Sequence, residues 1–461
     1  MKKIYFCLII LCLGFGALAD EAALPLRLSP QAAVELALRN NLNLESARLA
    51  LDIRRRGADF AWNNLFPSAA VTGTLLRDNA AAFAPPPLMM AIPQWHMNGA
   101  FTATLDFSFA LLEGIRAARL DYEAGRVSHE RAMLQMEQGV RRMYNSILLL
   151  EANLDLIRES FINAERQAAI AEANFMAGMV PRLTWLQAQV AVENMRPTVS
   201  NMENSLNILK RNFALLLGLP FDTHIELEPV YFEEADIPMG LDELIARAVW
   251  HKPEVVELRA SIQALQSQMR AVNLQLFTPF LRLGWTLSYL FNPLLDPFQE
   301  NLFTGDNWQR GGNFSVTLGM SFNSLFSFTR EGQQRQDLEA SLQIQSIRLA
   351  QTIRETELVV FTTLASLENI LENVEAQRAT VELAEESFRL TEEAHRAGLQ
   401  EFQAVQSAGL ALDQARLQLL TQQFNFLNDL IDLEYAIGLP FGTLSANGAF
   451  RNGTLDNTGG E

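Results

Sequence analysis

From Ile147 onward the chain places an apolar residue at every seventh position: Ile147, Leu154, Phe161, Ala168, Phe175. A second series, Leu150, Ile157, Ala164 and Ala171, interleaves with it and closes on Gly178. Alternating steps of three and four put both series on one helix face, the seam of a coiled coil. The ladder returns 220 residues later as Leu367, Ile370, Val374, Gln377, Val381, Ala384, Phe388, Thr391 and His395, and again ends on a glycine, Gly398. Two copies of one long helical hairpin therefore lie in one chain.

The elements around each hairpin repeat as well. Ser29 as N-cap and Pro30 at the first helical position open a helix. It runs through Val34, Leu38, Leu42, Leu49 and Ile53 toward Trp62, is loosened at Asn40-Asn41 and ends at Pro67. Ser68 to Leu75 alternates as a strand, a loop runs from about Arg77 to Asn98, and Phe101 to Phe109 is a second strand. A helix from near Glu113 to Ala177 would be roughly 100 Å long at the α-helical rise. After a turn at Gly178 to Arg182 the return helix spans about Leu183 to Leu217, with Pro197 expected to kink it. Gly218-Leu219-Pro220-Phe221 stops it. Past Pro229 and Pro238 the series recurs: a helix from Leu241 to Leu276, Pro279, a strand from Leu281 to Phe291, a loop to about Gly312, and a strand from Phe314 to Phe322. The long helix to Ala397 and the return helix from Phe402 to Ile437 follow, and Gly438-Leu439-Pro440-Phe441 is the second stop.

The resulting organisation is a signal peptide at 1–19 and a first repeat at 20–223, with strands about 68–109 and a tip about 177–182. A linker at 224–240 leads to a second repeat at 241–443, with strands about 280–322 and a tip about 397–401. A flexible tail covers 444–461.

Each strand buries one face in something apolar and shows the other to something wet. About ten residues is the length of a tilted transmembrane strand. The alternative is a soluble sheet whose apolar face rests on a helix layer. In a membrane, four strands cannot close, because lipid tolerates no open edge and barrels begin at about eight strands. Several chains must then share one barrel. Two copies give eight strands and a filled interior; three give twelve and room for a channel. Hairpins arranged around the same axis would continue the pore as a helical barrel; the alternative is a spacer without a lumen.

Composition narrows this further. A formal net charge of −17 argues against a nucleic-acid surface and suits an envelope protein or a path for cations or neutral solutes. Met1-Lys2-Lys3, the apolar run Ile4 to Phe15 and Ala17-Leu18-Ala19 read as a signal peptide cleaved before Asp20. Both cysteines, Cys7 and Cys12, fall inside it, so the mature chain would form no disulfide and no thiolate metal site. No later stretch reaches 18 uninterrupted apolar residues, so no transmembrane helix is expected. The histidines His96, His129, His224, His251 and His395 are scattered, and neither a phosphate-binding loop nor a nucleophile elbow is present. No catalytic residue, cofactor or metal is expected, and the chain does not read as an enzyme. The glutamates between Glu355 and Glu393 fall largely off the seam, on a solvated face or facing a lumen.

The duplicated order of these pieces resembles the TolC-type outer-membrane efflux proteins, the outer-membrane factors of tripartite export systems. The resemblance runs from Ser29 to Phe441. It is carried by Ala37-Leu38-x-Asn40-Asn41 with its counterpart Ala248-x-x-x-Lys252-Pro253-Glu254, the strand entries at Pro67 and Pro279, the tips Ala177-Gly178 and Ala397-Gly398, and the two Gly-Leu-Pro-Phe stops.

The resemblance implies an α+β membrane protein. It would be a homotrimer with a twelve-stranded outer-membrane β-barrel, four strands per chain, continued by a periplasmic α-helical coiled-coil barrel. It implies a passive channel of a tripartite efflux or type I secretion system. The partners would be outer-membrane lipid, a periplasmic adaptor (membrane fusion) protein and an inner-membrane pump. Adaptor docking would fall on Ala177, Gly178, Met179, Val180, Ala397, Gly398 and Leu399. The periplasmic entrance constriction would be Gln400, Gln403, Ala404 and Ser407. The best-known members of that family carry aspartates six and nine residues after the second tip glycine; here those positions are Ala404 and Ser407. The expected constriction is therefore polar and uncharged. The loop from Ala80 to Met97, with Pro85-Pro86-Pro87, is either a lid over the barrel mouth or a disordered segment. A non-conducting periplasmic coiled-coil scaffold is the alternative function.

Overall fold

Every long return helix ends where glycine lets the chain reverse, and those stops decide how the elements meet. The computed structural model describes residues 26–77, 95–232, 239–291, 308–320, 326 and 328–444. The signal peptide, most of the 80–97 loop, residues 233–238 of the linker and the tail beyond Leu444 lie outside the described residues. In chain order the elements are β1 (Leu26–Leu28), α1 (Pro30–Asn40), α2 (Leu42–Asp59), β2 (Ser68–Arg77), β3 (Trp95–Phe107), α3 (Phe109–Met176) and α4 (Arg182–Leu216). The second half holds β4 (Ile225–Leu227), α5 (Leu241–His251), α6 (Pro253–Phe277), β5 (Phe280–Phe291), β6 (Trp308–Gly319), α7 (Arg330–Arg396) and α8 (Phe402–Ile437). By contacts the chain divides into two units, and α3, α7 and α8 each contribute a segment to both.

The first unit comprises residues 26–41, 139–232 and 372–428 among those described. The Ser29 side chain accepts from the Ala32 N–H at 3.2 Å and starts α1. β1 and β4 pair in parallel, Leu26 opposite Ile225. The Tyr144 hydroxyl sits 2.9 Å from the Leu28 carbonyl and 2.7 Å from that of Glu228, where the two strands end. Its ring meets Phe213 edge-on at 6.2 Å, and Tyr144, Ile147, Phe213 and Leu217 are fully buried. Each such side chain contributes about 1.5–3 kcal/mol by leaving water. Farther along the hairpins, Leu154, Ala171 and Val374 are buried seam positions, and Val405 on α8 is buried as well.

The second unit comprises residues 42–138, 239–371 and 429–444 among those described. Its sheet is antiparallel throughout, in the order β2-β3-β5-β6. The register runs from Ser68↔Thr104, through Phe107↔Leu281, to Phe291↔Trp308. Glu113, near the start of α3, accepts from Ser267 Oγ at 2.9 Å and Arg270 Nε at 3.0 Å on α6. Burial pushes its carboxyl up, but the two hydrogen bonds and the charges of Arg116 and Arg270 together hold it below the usual range. The buried Glu434 on α8 accepts from the backbone N–H groups of Gly442 at 2.8 Å and Leu444 at 2.7 Å, tying down the chain that follows the helix.

Four helix ends share one geometry. At Gly178, Gly218, Gly398 and Gly438 the backbone is left-handed, with φ of 75°, 72°, 75° and 65°. Each is a Schellman turn: Met179 N–H bonds Asn174 O and Gly178 N–H bonds Phe175 O, and the other three repeat the pattern. Two of the four are docked. A Cβ on Gly218 would lie 2.4 Å from the Asn40 carbonyl oxygen, and one on Gly438 2.7 Å from that of His251. Each Gly-Leu-Pro stop therefore seats on the helix break of its own repeat. The Asn41 side-chain amide completes the first seat by donating to Leu216 O at 2.8 Å.

Several boundaries differ from the sequence reading. The first helix is broken at Asn41, whose backbone is extended, and its end tightens into a 3-10 turn at Ala61–Leu65. The helix expected from Leu241 to Leu276 is broken at Lys252, because Pro253 excludes helical geometry at the residue before it. Phe109 is helical rather than the end of a strand, since the chain turns at Ser108 and α3 starts four residues before Glu113. β3 and β6 begin at Trp95 and Trp308, inside the expected loops, because ladder pairing carries on through Gly311-Gly312. β6 stops at Gly319, short of Phe322. The β1–β4 pair went unpredicted: three residues are too few for periodicity to register.

Candidate functional site

The register sorts the four strands into two unlike faces. One carries Val71, Leu75, Trp285, Phe314, Val316 and Leu318, with exposures of 82%, 66%, 51%, 68%, 61% and 73%. A soluble sheet would bury this face under helices, yet these side chains stand open. At the loop end of the same face Phe291 and Trp308 lie 5.3 Å apart, and Arg310 Nε donates to the Tyr289 hydroxyl at 3.1 Å. Aromatic and cationic residues gather in this way where a membrane-spanning wall meets water.

The opposite face carries Thr72, Thr102, Thr286, Asn313, Ser315 and Thr317. Asp106 and Arg282 supply its carboxylate and its cation. They lie directly opposite each other, joined by two hydrogen bonds of 2.5 and 3.3 Å. Both are half exposed, so the pair adds little stability; its effect is to cancel the local charge. The hydroxyl-rich wall is thus close to neutral.

The hairpin tips are the other exposed feature. Ala177, Gly178 and Met179 are exposed, Val180 is half buried, and Ala397, Gly398 and Leu399 are exposed. Unlike the docked stops, neither Gly178 nor Gly398 has an atom beyond its adjacent residues within 4 Å of where a Cβ would sit. Met179 and Leu399 are 76% and 79% exposed. The tips are built differently. At the first, Phe175 stacks on Trp185 at 5.2 Å. At the second, His395 Nδ1 donates to the Gln400 carbonyl at 2.7 Å, which closes the turn. Gln400 and Gln403 are exposed, Ala404 is half buried and Ser407 is exposed. Ser407 lies three residues after Ala404 and four after Gln403 on α8, so it neighbours each of them on the helix surface.

Behind the tips, in the first unit, the two hairpins are cross-linked. The Ser160 hydroxyl on α3 donates to Asp413 on α8. Arg416, one turn along α8, pairs with Glu385 at 2.7 Å and reaches Glu159 at 3.9 Å. Neither this cluster nor the Asp106–Arg282 pair emerged from the sequence. Their members are 253 and 176 residues apart, and no local pattern links them. Among the described residues no group of three or more His, Cys, Asp or Glu could hold a metal ion, and no helix is long and apolar enough to cross a membrane.

The family model for "Outer membrane efflux protein" matches residues 33–219 and 244–439. The chain is 23% identical over 423 residues to the probable efflux pump outer membrane protein TtgC of Pseudomonas putida, covering 88% of this chain and 82% of that protein. The antibiotic efflux pump outer membrane protein ArpC of Pseudomonas putida matches to the same extent. Among solved structures, the outer membrane protein VceC of Vibrio cholerae superposes with a TM-score of 0.70 at 17% identity, over 89% of this chain and 96% of that one. The CmeC outer membrane channel of Campylobacter jejuni superposes with a TM-score of 0.73 at 15% identity, over 89% and 85%.

Proposed function

Because this chain belongs to the outer membrane efflux protein family, we propose that three copies of it close one twelve-stranded barrel and form a passive export conduit. Its place is the outer membrane, with the helical hairpins on the periplasmic side. The observation that carries the reading is the sheet: one apolar open face, one neutral hydroxyl-rich face, and two edge strands, β2 and β6. A spanning sheet cannot leave those edges open in lipid. Pairing β6 of one chain with β2 of the next satisfies both, and three copies leave a lumen lined by the polar face.

The exposed tips around Gly178 and Gly398 are the docking points for a periplasmic adaptor, which couples the conduit to an inner-membrane pump for efflux or type I secretion. The conduit supplies no energy. Gln400, Gln403, Ala404 and Ser407 line its periplasmic entrance. With no carboxylate among them, that entrance is polar and uncharged.

The test is the particle extracted from an outer-membrane fraction in mild detergent, imaged and weighed. A three-fold particle with a hollow helical stalk is expected. A soluble monomer or dimer without a lumen would replace the conduit with a coiled-coil scaffold. Conductance across a planar bilayer tests the entrance: trivalent cations applied from the periplasmic side should leave the current unchanged, and tight block would overturn the uncharged constriction.

A further inference from the structure

We propose that a cavity between the two hairpins, next to the cross-link, is a binding site for small amphipathic organic cations. The cavity holds about 530 Å³ and lies wholly within the first unit. Ligand pockets of about 300–1,000 Å³ take molecules of drug size. Its walls combine apolar and charged surface with the neutral amides of Asn163, Gln167, Asn194 and Gln406. Phe388, Phe402, Val405 and Met195 supply apolar and aromatic surface. Glu159, Glu385 and Asp413 supply three carboxylates against one guanidinium, Arg416.

That guanidinium is already engaged by Glu385 and Glu159. The balance of the site is therefore negative: Glu159 and Glu385 stand open to water, and Asp413 is the more shielded carboxylate, where a charge is less screened. Burial pushes the Asp413 carboxyl up, although the Ser160 hydrogen bond and Arg416 oppose it. A cation arriving beside Asp413 would compensate that carboxylate, and an aromatic ring would hold a delocalised positive charge against its face. An anion meets net repulsion, and a neutral ring gains no charge compensation. Gly409 keeps the space open: a Cβ there would already sit 3.3 Å from the Phe388 ring. The site needs only the fold of the two hairpins and stands apart from the conduit reading.

The test uses the full chain, purified in detergent, and ethidium as the probe, a planar aromatic monocation. Binding is followed by fluorescence anisotropy. Uncharged phenanthridine, the parent ring, is the comparator. Saturable binding of one dye per chain is expected, with phenanthridine a poor competitor. Asp413→Asn and Glu385→Gln should each weaken it by about tenfold, the effect of removing one nearby charge in a partly shielded site. Gly409→Leu fills the cavity and should abolish binding while all carboxylates remain. Circular dichroism and particle mass verify each variant. Glu385 is half exposed, so its variant remains informative if Gly409→Leu fails to fold. Absence of saturable binding, equal affinity for phenanthridine, or affinity unchanged in the folded variants would overturn the site.

Discussion

Placing arginine at Phe314 tests the assignment of the two sheet faces more sharply than any other single change. Phe314 stands near the middle of β6, opposite Trp285, and is 68% exposed. If that face meets lipid, arginine near the bilayer midplane costs about 2–4 kcal/mol. Removing the phenylalanine from lipid forfeits a further ~1–2 kcal/mol, scaled from full burial by its exposure. The sum, about 3–6 kcal/mol per chain, corresponds to roughly two to four powers of ten in the assembly equilibrium. The control is its neighbour Asn313, opposite Thr286 on the polar face. An Asn313→Arg side chain would enter water and should cost well under 1 kcal/mol. Both variants are refolded into lipid vesicles across a urea series, and the membrane-inserted fraction is read by protease protection. Phe314→Arg should shift the midpoint far below that of Asn313→Arg. Equal midpoints would mean that the alternation does not separate lipid from water, and the barrel would fall with it.

Three further outcomes follow from the geometry. Gly178→Leu and Gly398→Leu have open space but a left-handed backbone. Each should cost only ~1–2 kcal/mol locally and leave oligomer mass intact while export of a reporter substrate is lost; unchanged export would remove the tips from docking. Gly218→Ala and Gly438→Ala press on the Asn40 and His251 carbonyls, so both should melt at lower temperature than either tip variant in a circular-dichroism scan. The Glu113 carboxyl is held below its usual 4.5 in the folded chain. Its contribution to stability is therefore full above that value and lost as pH falls through the folded value. Glu113→Gln should flatten that part of the melting-temperature profile, and an unaltered acid limb would show that the Ser267–Arg270 seat carries no such linkage.

Much of this architecture was legible because it is periodic. Strict alternation located all four sheet strands, the heptad ladders located both hairpins, and glycine followed by proline located the helix stops. The resemblance drawn from those pieces agrees with the family whose model matches residues 33–219 and 244–439. What escaped was short or long-range. The β1–β4 pair spans three residues on each side. At Phe109 the apolar alternation outlasts the strand, so period alone mistook a helix start for a strand end. Asn40-Asn41 gave a hint of a break, but its purpose, a seat for the Gly218 turn, needed coordinates. The neutrality of the polar wall also depended on register, because only pairing brings Asp106 opposite Arg282. Near the tips, only the fold brings Ser160 and the cavity beside Asp413.

The Glu434 carboxylate has a consequence for proteolysis. It is 1% exposed and holds the backbone N–H groups of Gly442 and Leu444. Clipping beyond Leu444 leaves both amides in place. Clipping before Gly442 removes these two donors from a carboxylate sealed from solvent, at about 1.5–3 kcal/mol for each charge-assisted bond lost. The last turn of α8 is thus tied to the chain as far as residue 444, and a cut before Gly442 should lower the melting temperature.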